Sequence, residues 1–291
     1  MLLLLAGPRD LRLEWHAIAR HLGQVNAMDV EQAEPPVESE GWYRRIADGA
    51  KRGASAFSDL IFPPVCRGCG RLTGRHAALC PACWRSVRFI ERPFCPVLGT
   101  PFSHNLGEAL ISAEAIAHPP PFDRLRSVAL YQGVVRDLVR GLKYKDRTDL
   151  APMMAAWMVR AGEGYVEAAD AILPVPLHPL RLWRRRFNQA AELSRAIGRQ
   201  TGRPMLPLAL ARTRRTQPQI GLGAQQRADN VRGAFTVTET GKGDLFGRRV
   251  ILVDDVYTTG ATVAAVARAL RRAGVVEITV LTFARALPDP I

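Results

Sequence analysis

"VILVDDVYTTGATV", residues 250 to 263, sets four apolar residues ahead of two adjacent aspartates, then a hydroxyl-rich turn with a glycine, then the start of a helical pattern. Val250 to Val253 has the length and branched side chains of a strand buried on both faces. Ala261 or Thr262 opens a helix, so Asp254 to Gly260 is expected as the loop outside the strand's carboxyl end, where open α/β sheets bind ligands. Thr258 and Thr259 bring hydroxyls, Gly260 lets backbone N–H groups come close, and a helix N-terminus favours an anion. The turn reads as a phosphate cradle with carboxylates beside it. Two carboxylates repel a phosphate, so they must address sugar hydroxyls or a magnesium ion instead. A ribose 5-phosphate satisfies both halves at once. The alternative is ordinary turn and cap chemistry, which also uses these residue types.

Around this stretch, from Phe122 onward, short apolar runs alternate with helical segments, the pattern of an α/β domain with a largely parallel sheet. Strands are expected at 127–132, 171–176, in "AFTV" (234–237), in "RVILV" (249–253) and in "EITVLTF" (277–283). Helices are expected at 133–144, 149–162, 187–202 and from Thr262 to Gly274. The first has Val134, Leu138 and Leu142 at spacing four. The methionines and Trp157 of the second are core, and Gly202 ends the third as a C-cap.

Four of the five cysteines fall as "CRGC" (Cys66, Cys69) and "CPAC" (Cys80, Cys83). Each C-x-x-C knuckle can offer two thiolates to one tetrahedral zinc ion at about 2.3 Å, which predicts a zinc ribbon over 57–100. A pair of redox or disulfide dithiols is the alternative. Arg67, Arg71, Arg75 and Arg85 favour the thiolate form. Cys95, in "PFCPVLG", has no partner of this kind and reads as a packed side chain.

The net charge of +13 is uneven. Residues 181 to 232 hold twelve arginines against Glu192 and Asp229, a local balance of +10. A basic surface there implies a phosphate-rich ligand, whether nucleotide, pyrophosphate or nucleic acid, unless it is a solvated face. Ahead of Pro63 the balance reverses, with seven basic and nine acidic residues. Residues 1–56 read as a poorly ordered extension, since "VEQAEPPVESEG" has the composition of a linker. Met28 is a second candidate start, which would place the first 27 residues outside the native protein. "MLLLLAGPRD" lacks the basic n-region and cleavage site of a secretory signal. No apolar run approaches the ~18 residues that cross a bilayer, so the expectation is a cytoplasmic protein without membrane insertion. "HPPP" (118–121) closes a linker over 101–121, leaving 122–291 as the main domain.

The full order of strand, Asp-Asp, apolar residue, aromatic, Thr-Thr-Gly-Ala-Thr and helix resembles the phosphoribosyl pyrophosphate (PRPP) binding motif of type I phosphoribosyltransferases. By that resemblance Asp254 and Asp255 hold the ribose 2′ and 3′ hydroxyls, while Thr258, Thr259, Gly260, Ala261 and Thr262 wrap the 5-phosphate. A four-cysteine ribbon ahead of such a domain, with "YQGVVRDLVRGLKYKDR" (131–147), "PVPLHPLRLWRRRFNQAAELS" (174–194) and "RTRRTQPQIGLGAQQRADNVRGAF" (212–235), resembles the ComF family of competence-associated proteins. Members often carry a further C-x-x-C after the ribbon. Here Leu98 follows Cys95 at that spacing, so no second metal role is carried over.

The resemblance implies a type I phosphoribosyltransferase-like parallel sheet flanked by helices, binding of PRPP with magnesium, and a link to incoming DNA in natural transformation. Two readings stay open. As an enzyme, the protein displaces pyrophosphate from the anomeric carbon of PRPP, with Arg186, Arg212, Arg214 and Arg215 as candidates to stabilise the leaving group. As a non-catalytic module, the same cradle and arginines hold a nucleotide or single-stranded DNA, with other DNA-uptake proteins as partners. No base-recognition hood is legible, and no catalytic residue is assigned. His178, Asn188, Gln189, Asn230 and Arg232 are weaker candidates.

Overall fold

The computed structural model describes residues 62–104, 110–144, 146–162, 164–178, 182, 187–214 and 223–287. The expected N-terminal extension, together with Arg186 and Arg215, lies outside them. From Pro63 onward the chain forms one compact unit.

Its centre is a four-stranded parallel sheet of β1 (Arg124–Leu130), β2 (Ala171–Pro174), β5 (Arg249–Tyr257) and β6 (Glu277–Arg285), in the order β1-β6-β5-β2. Side chains alternate between the faces of a strand, and β5 divides accordingly. Ile251 and Val253 pack with Val135, Leu138 and Leu142 of α3 (Gly133–Tyr144), with Met154 of α4 (Ala151–Ala161), and with Leu193 and Ile197 of α6 (Gln189–Thr201). Val250 and Leu252 pack on the other face with Val263, Val266 and Leu270 of α9 (Ala261–Arg272). Both faces are covered, which is why these strands are continuous apolar runs rather than alternating ones.

The expected helices form with sharp local signals. Asn188 caps α6, its side chain accepting from the Ala190 N–H at 3.0 Å, and Gly202 ends it in the left-handed conformation (φ 71°). "AFTV" does not join the main sheet. Its residues Phe235–Val237 form β4, which pairs antiparallel with β3 (Leu210–Arg212) as a separate ribbon.

The cysteine-bearing segment precedes the sheet and lies along its edge. Residues 88 to 90 pair with β1: Leu130 N–H donates to the Arg88 carbonyl at 2.9 Å, and Ile90 N–H donates to that of Val128 at 2.9 Å. This covers an edge that would otherwise present unpaired backbone groups. Trp84 and Phe89 meet Trp157 of α4 at ring-centre distances of 5.3 and 5.5 Å, and Trp157 stacks on Phe283 of β6.

Candidate functional site

β5 runs four residues further than its apolar pattern suggests. The expected loop of 254–260 therefore narrows to Thr258–Gly260, and both aspartates are strand residues. Pairing with the longer β6 holds them there, with Asp254 opposite Thr282 and Tyr257 opposite Arg285. Strand alternation then turns the two carboxylates to opposite faces. Asp255 goes to the α3 side, where it is 6% exposed and meets Lys143 Nζ at 2.9 Å. Asp254 goes to the side of the β3–β4 ribbon. Arg212 of β3 is buried there, with its guanidinium over the Phe235 ring at 5.0 Å.

The electrostatics follow from this division. Asp254 keeps a partial opening to solvent, yet burial first, and the charge of Asp255 second, push its carboxyl up to about 7 against the pull of Lys143 and Arg212. Burial works against the charge of Lys143, but Asp255 outweighs it and holds the ammonium above its ordinary value. A carboxyl raised in the folded state keeps a proton that the unfolded chain has lost. Asp254 thus opposes folding increasingly from about pH 4 to about pH 7. Asp254→Asn should lose that fall and be the more stable protein at pH 8, by on the order of 1 kcal/mol. Urea titrations of both proteins at pH 5 and pH 8 check this; parallel pH trends would contradict it.

Beyond the carboxylates, Thr258 and Thr259 are exposed, and Gly260 starts the 12-residue α9 at φ 73°. A Cβ at Gly260 would come within 2.3 Å of Tyr257 Oη. That ring is buried and lies under the Arg285 guanidinium at 4.9 Å, so it has little room to yield. Glycine is required twice over here, by its left-handed backbone and by the close approach. Gly260→Ala is expected to cost roughly 2 to 4 kcal/mol, and a shift of the urea midpoint corresponding to less than about 1 kcal/mol would refute the geometry. The first-turn N–H groups of α9 at Ala261, Thr262 and Val263 have no carbonyl within their own helix to bond. They face the turn that carries the threonine hydroxyls.

The structure brings Arg212 to the acidic pair and places Arg214 elsewhere, donating to the carbonyls of Asp229 and Asn230 at 3.2 and 3.0 Å. Arg232 pairs with Asp229, and Asn188 both caps α6 and donates to the Val175 carbonyl. Lys143 is the residue the sequence reading missed. A signal was present: Val135 and Val139 form a buried row at spacing four on α3, and Lys143 continues it. A lysine ending an apolar row needs a buried partner.

The four cysteines converge as expected. The Sγ atoms of Cys66, Cys69, Cys80 and Cys83 all lie within 4.8 Å of one another. The first knuckle is a tight turn in which Cys66 N–H donates to the Arg71 carbonyl and Gly70 N–H to that of Cys66. Cys80 is the N-cap of α1 (Pro81–Arg85), which returns Cys83 to the cluster one turn later. The Cys80 N–H donates to Cys66 Sγ at 3.2 Å. The backbone N–H of Arg71, then its side chain, lower the Cys69 thiol to about 6, whereas burial and the neighbouring thiols raise that of Cys83. Four soft sulfur donors in this spacing fit one structural zinc ion.

Residues 57–115 match the double zinc ribbon domain, and residues 188–289 match the phosphoribosyl transferase domain. The fold and the cysteine cluster together define a zinc-ribbon protein of the phosphoribosyltransferase fold. DNA utilization protein YhgH of Escherichia coli (strain K12) is 32% identical over 235 residues, covering 78% of this chain and 100% of that protein. Competence protein F of Haemophilus influenzae is 31% identical over 226 residues, covering 76% and 95%. The chain belongs to the ComF family of competence-associated proteins. A solved glutamine PRPP amidotransferase from B. subtilis aligns with 49% of this chain and 30% of its own at 23% identity and a TM-score of 0.30, a likeness too slight to carry an argument. Among the described residues, no helix is long and apolar enough to cross a membrane.

Proposed function

We propose that this protein binds PRPP, or a nucleotide sharing its ribose 5-phosphate, at the end of β5, with magnesium on the pyrophosphate, and that it serves the handling of incoming DNA in natural transformation. The observation that carries the reading is the join of β5 to α9. A central parallel strand ends in two carboxylates, followed by two exposed threonines and a left-handed glycine that opens a helix. Threonine hydroxyls and N–H groups in the first turn of α9 take the 5-phosphate. Asp254 and Asp255 take the ribose hydroxyls, with Lys143 and Arg212 limiting the negative charge that the phosphates meet. In this reading the ligand-binding domain spans 122–291.

Thr259→Val removes one hydroxyl donor at an exposed position. Loss of a hydrogen bond to a charged phosphate costs roughly 1.5 to 3 kcal/mol, so PRPP affinity should fall about ten- to a hundred-fold with the unfolding midpoint unchanged. Unchanged affinity would remove the loop from the site. Whether bound PRPP reacts is a separate measurement: pyrophosphate release in the presence of nucleobases supports the transferase, and binding without release supports the module.

Single-stranded DNA is the second reading, favoured by the +10 balance of residues 181–232 and by the names of the relatives. Backbone contacts of that kind give an affinity that falls with salt at a log–log slope of about −0.7 per neutralised phosphate. Replacing Arg184, Arg185 and Arg214 together by glutamine should flatten the slope by about two units. Anisotropy titrations at several salt concentrations decide it, and no binding at ~50 mM salt would leave the phosphoribosyl ligand alone.

A further inference from the structure

Residues 94–102 and 112–118 repeat the geometry of the zinc knuckles. Cys66 N–H donates to the Arg71 carbonyl at 2.7 Å and Gly70 N–H to that of Cys66 at 2.9 Å; Cys95 N–H donates to the Thr100 carbonyl at 2.8 Å and Gly99 N–H to that of Cys95 at 2.8 Å. Gly70 and Gly99 are both left-handed, at φ 76° and 61°. Antiparallel bridges close both turns, Val65 with Leu72 and Phe94 with Pro101. Cys66 Sγ accepts the Cys80 N–H at 3.2 Å, and Cys95 Sγ accepts the Ser112 N–H at 3.4 Å. Cys80 caps a five-residue helix, and Ser112 caps another, α2 (Ala113–Ala117). By this correspondence Leu98, Ser112 and Ala115 stand where the first knuckle pair has Cys69, Cys80 and Cys83.

A double zinc ribbon implies two metal sites, and the second does not fit this chain. One thiol, one hydroxyl and two apolar side chains cannot form a tetrahedral thiolate site. We infer that the second knuckle pair of this protein is metal-free, its ion replaced by packing of Leu98 and Ala115, the hydrogen bond of Ser112 to Cys95, and anchorage to the sheet.

Each of those replacements is visible. Cys95, Leu98 and Ala115 are buried in the core cluster that includes Leu125 of β1. Ser112 Oγ donates to Cys95 Sγ at 3.3 Å. The turn's carbonyls bind the sheet: Leu125 N–H donates to Val97, Arg126 Nη1 to Pro96 at 3.0 Å, and Arg285 Nη1 to Leu98. Arg285 Nη2 also reaches Thr100 Oγ1 at 2.9 Å. Since Arg285 lies over Tyr257, against which Gly260 packs, the metal-free turn braces the loop at the end of β5. The inference stands whether or not that loop binds PRPP.

Metal counting on the full-length protein tests it. Wild type should hold one zinc per chain, Cys95→Ala should still hold one, and the triple variant Leu98→Cys, Ser112→Cys, Ala115→Cys should hold two. In the triple variant, cobalt substitution should double the intensity of the thiolate-to-metal absorption. Two equivalents in wild type, a loss of zinc from Cys95→Ala, or a folded triple variant that stays at one would each overturn the inference. If the triple variant does not fold, the wild-type and Cys95→Ala counts decide.

Discussion

Lys143→Met is expected to destabilise the protein by roughly 3 to 5 kcal/mol, the usual cost of removing one partner from a buried ion pair. The lysine is held against Asp255 at 2.9 Å with 22% of its side chain exposed and 9% of the aspartate's. Its charge also lowers the carboxyl of Asp254. Without it, two adjacent carboxylates face each other's charge in a poorly solvated strand end. Methionine keeps the apolar stem that continues the Val135–Val139 row, so the loss reads the charge rather than the packing. Adding Asp255→Asn should recover most of the stability, because the orphaned charge goes with it. Urea unfolding of the single and double variants measures both effects. A loss below about 1 kcal/mol in the single variant would mean that the pair is solvated in solution.

Cys83→Ser is expected to abolish zinc binding, removing a contribution to local folding on the order of 10 kcal/mol. The knuckles at 65–72 and 80–85 should open, while the α/β core keeps its helical signal. Trp84 and Phe89 hold that segment on Trp157, so tryptophan emission should shift to the red as the rings lose contact. Zinc retained at one equivalent would contradict the four-thiolate site. Collapse of the whole far-ultraviolet signal would make the ribbon part of the core rather than a unit stapled to it.

Much of this architecture is written in local patterns. Asn188, Gly202 and the spacing-four rows on α3 mark helix limits and buried faces because caps and periodicity are properties of short segments. The two C-x-x-C pairs announce their cluster for the same reason. The acidic pair was legible as chemistry but not as geometry. Nothing in "VDDVY" tells a strand from a loop, since aspartate is a poor strand former; it is β6, from Glu277 to Arg285, that holds these residues extended. That register also puts the carboxylates on opposite faces, with Lys143 against Asp255 and Arg212 on the side of Asp254, a non-local outcome. Of the second knuckle pair the sequence shows only Cys95 and Leu98 at C-x-x-C spacing, because three of four ligand positions have changed identity. The backbone preserves the rest, in its hydrogen bonds, its bridges and the left-handed Gly99.

Calorimetry with PRPP on the full chain, with and without magnesium, tests most directly the assignment of the loop at the end of β5 as a phosphoribosyl site. One PRPP per chain should bind in the presence of magnesium; Thr259→Val should weaken it about ten- to a hundred-fold with stability unchanged, and Asp255→Asn, which leaves Lys143 without its partner and lowers stability as well, should weaken it at least as much in protein that is still folded. No heat with magnesium at PRPP up to roughly 1 mM, the upper end of common substrate affinities, or equal binding by wild type and both variants, would contradict it.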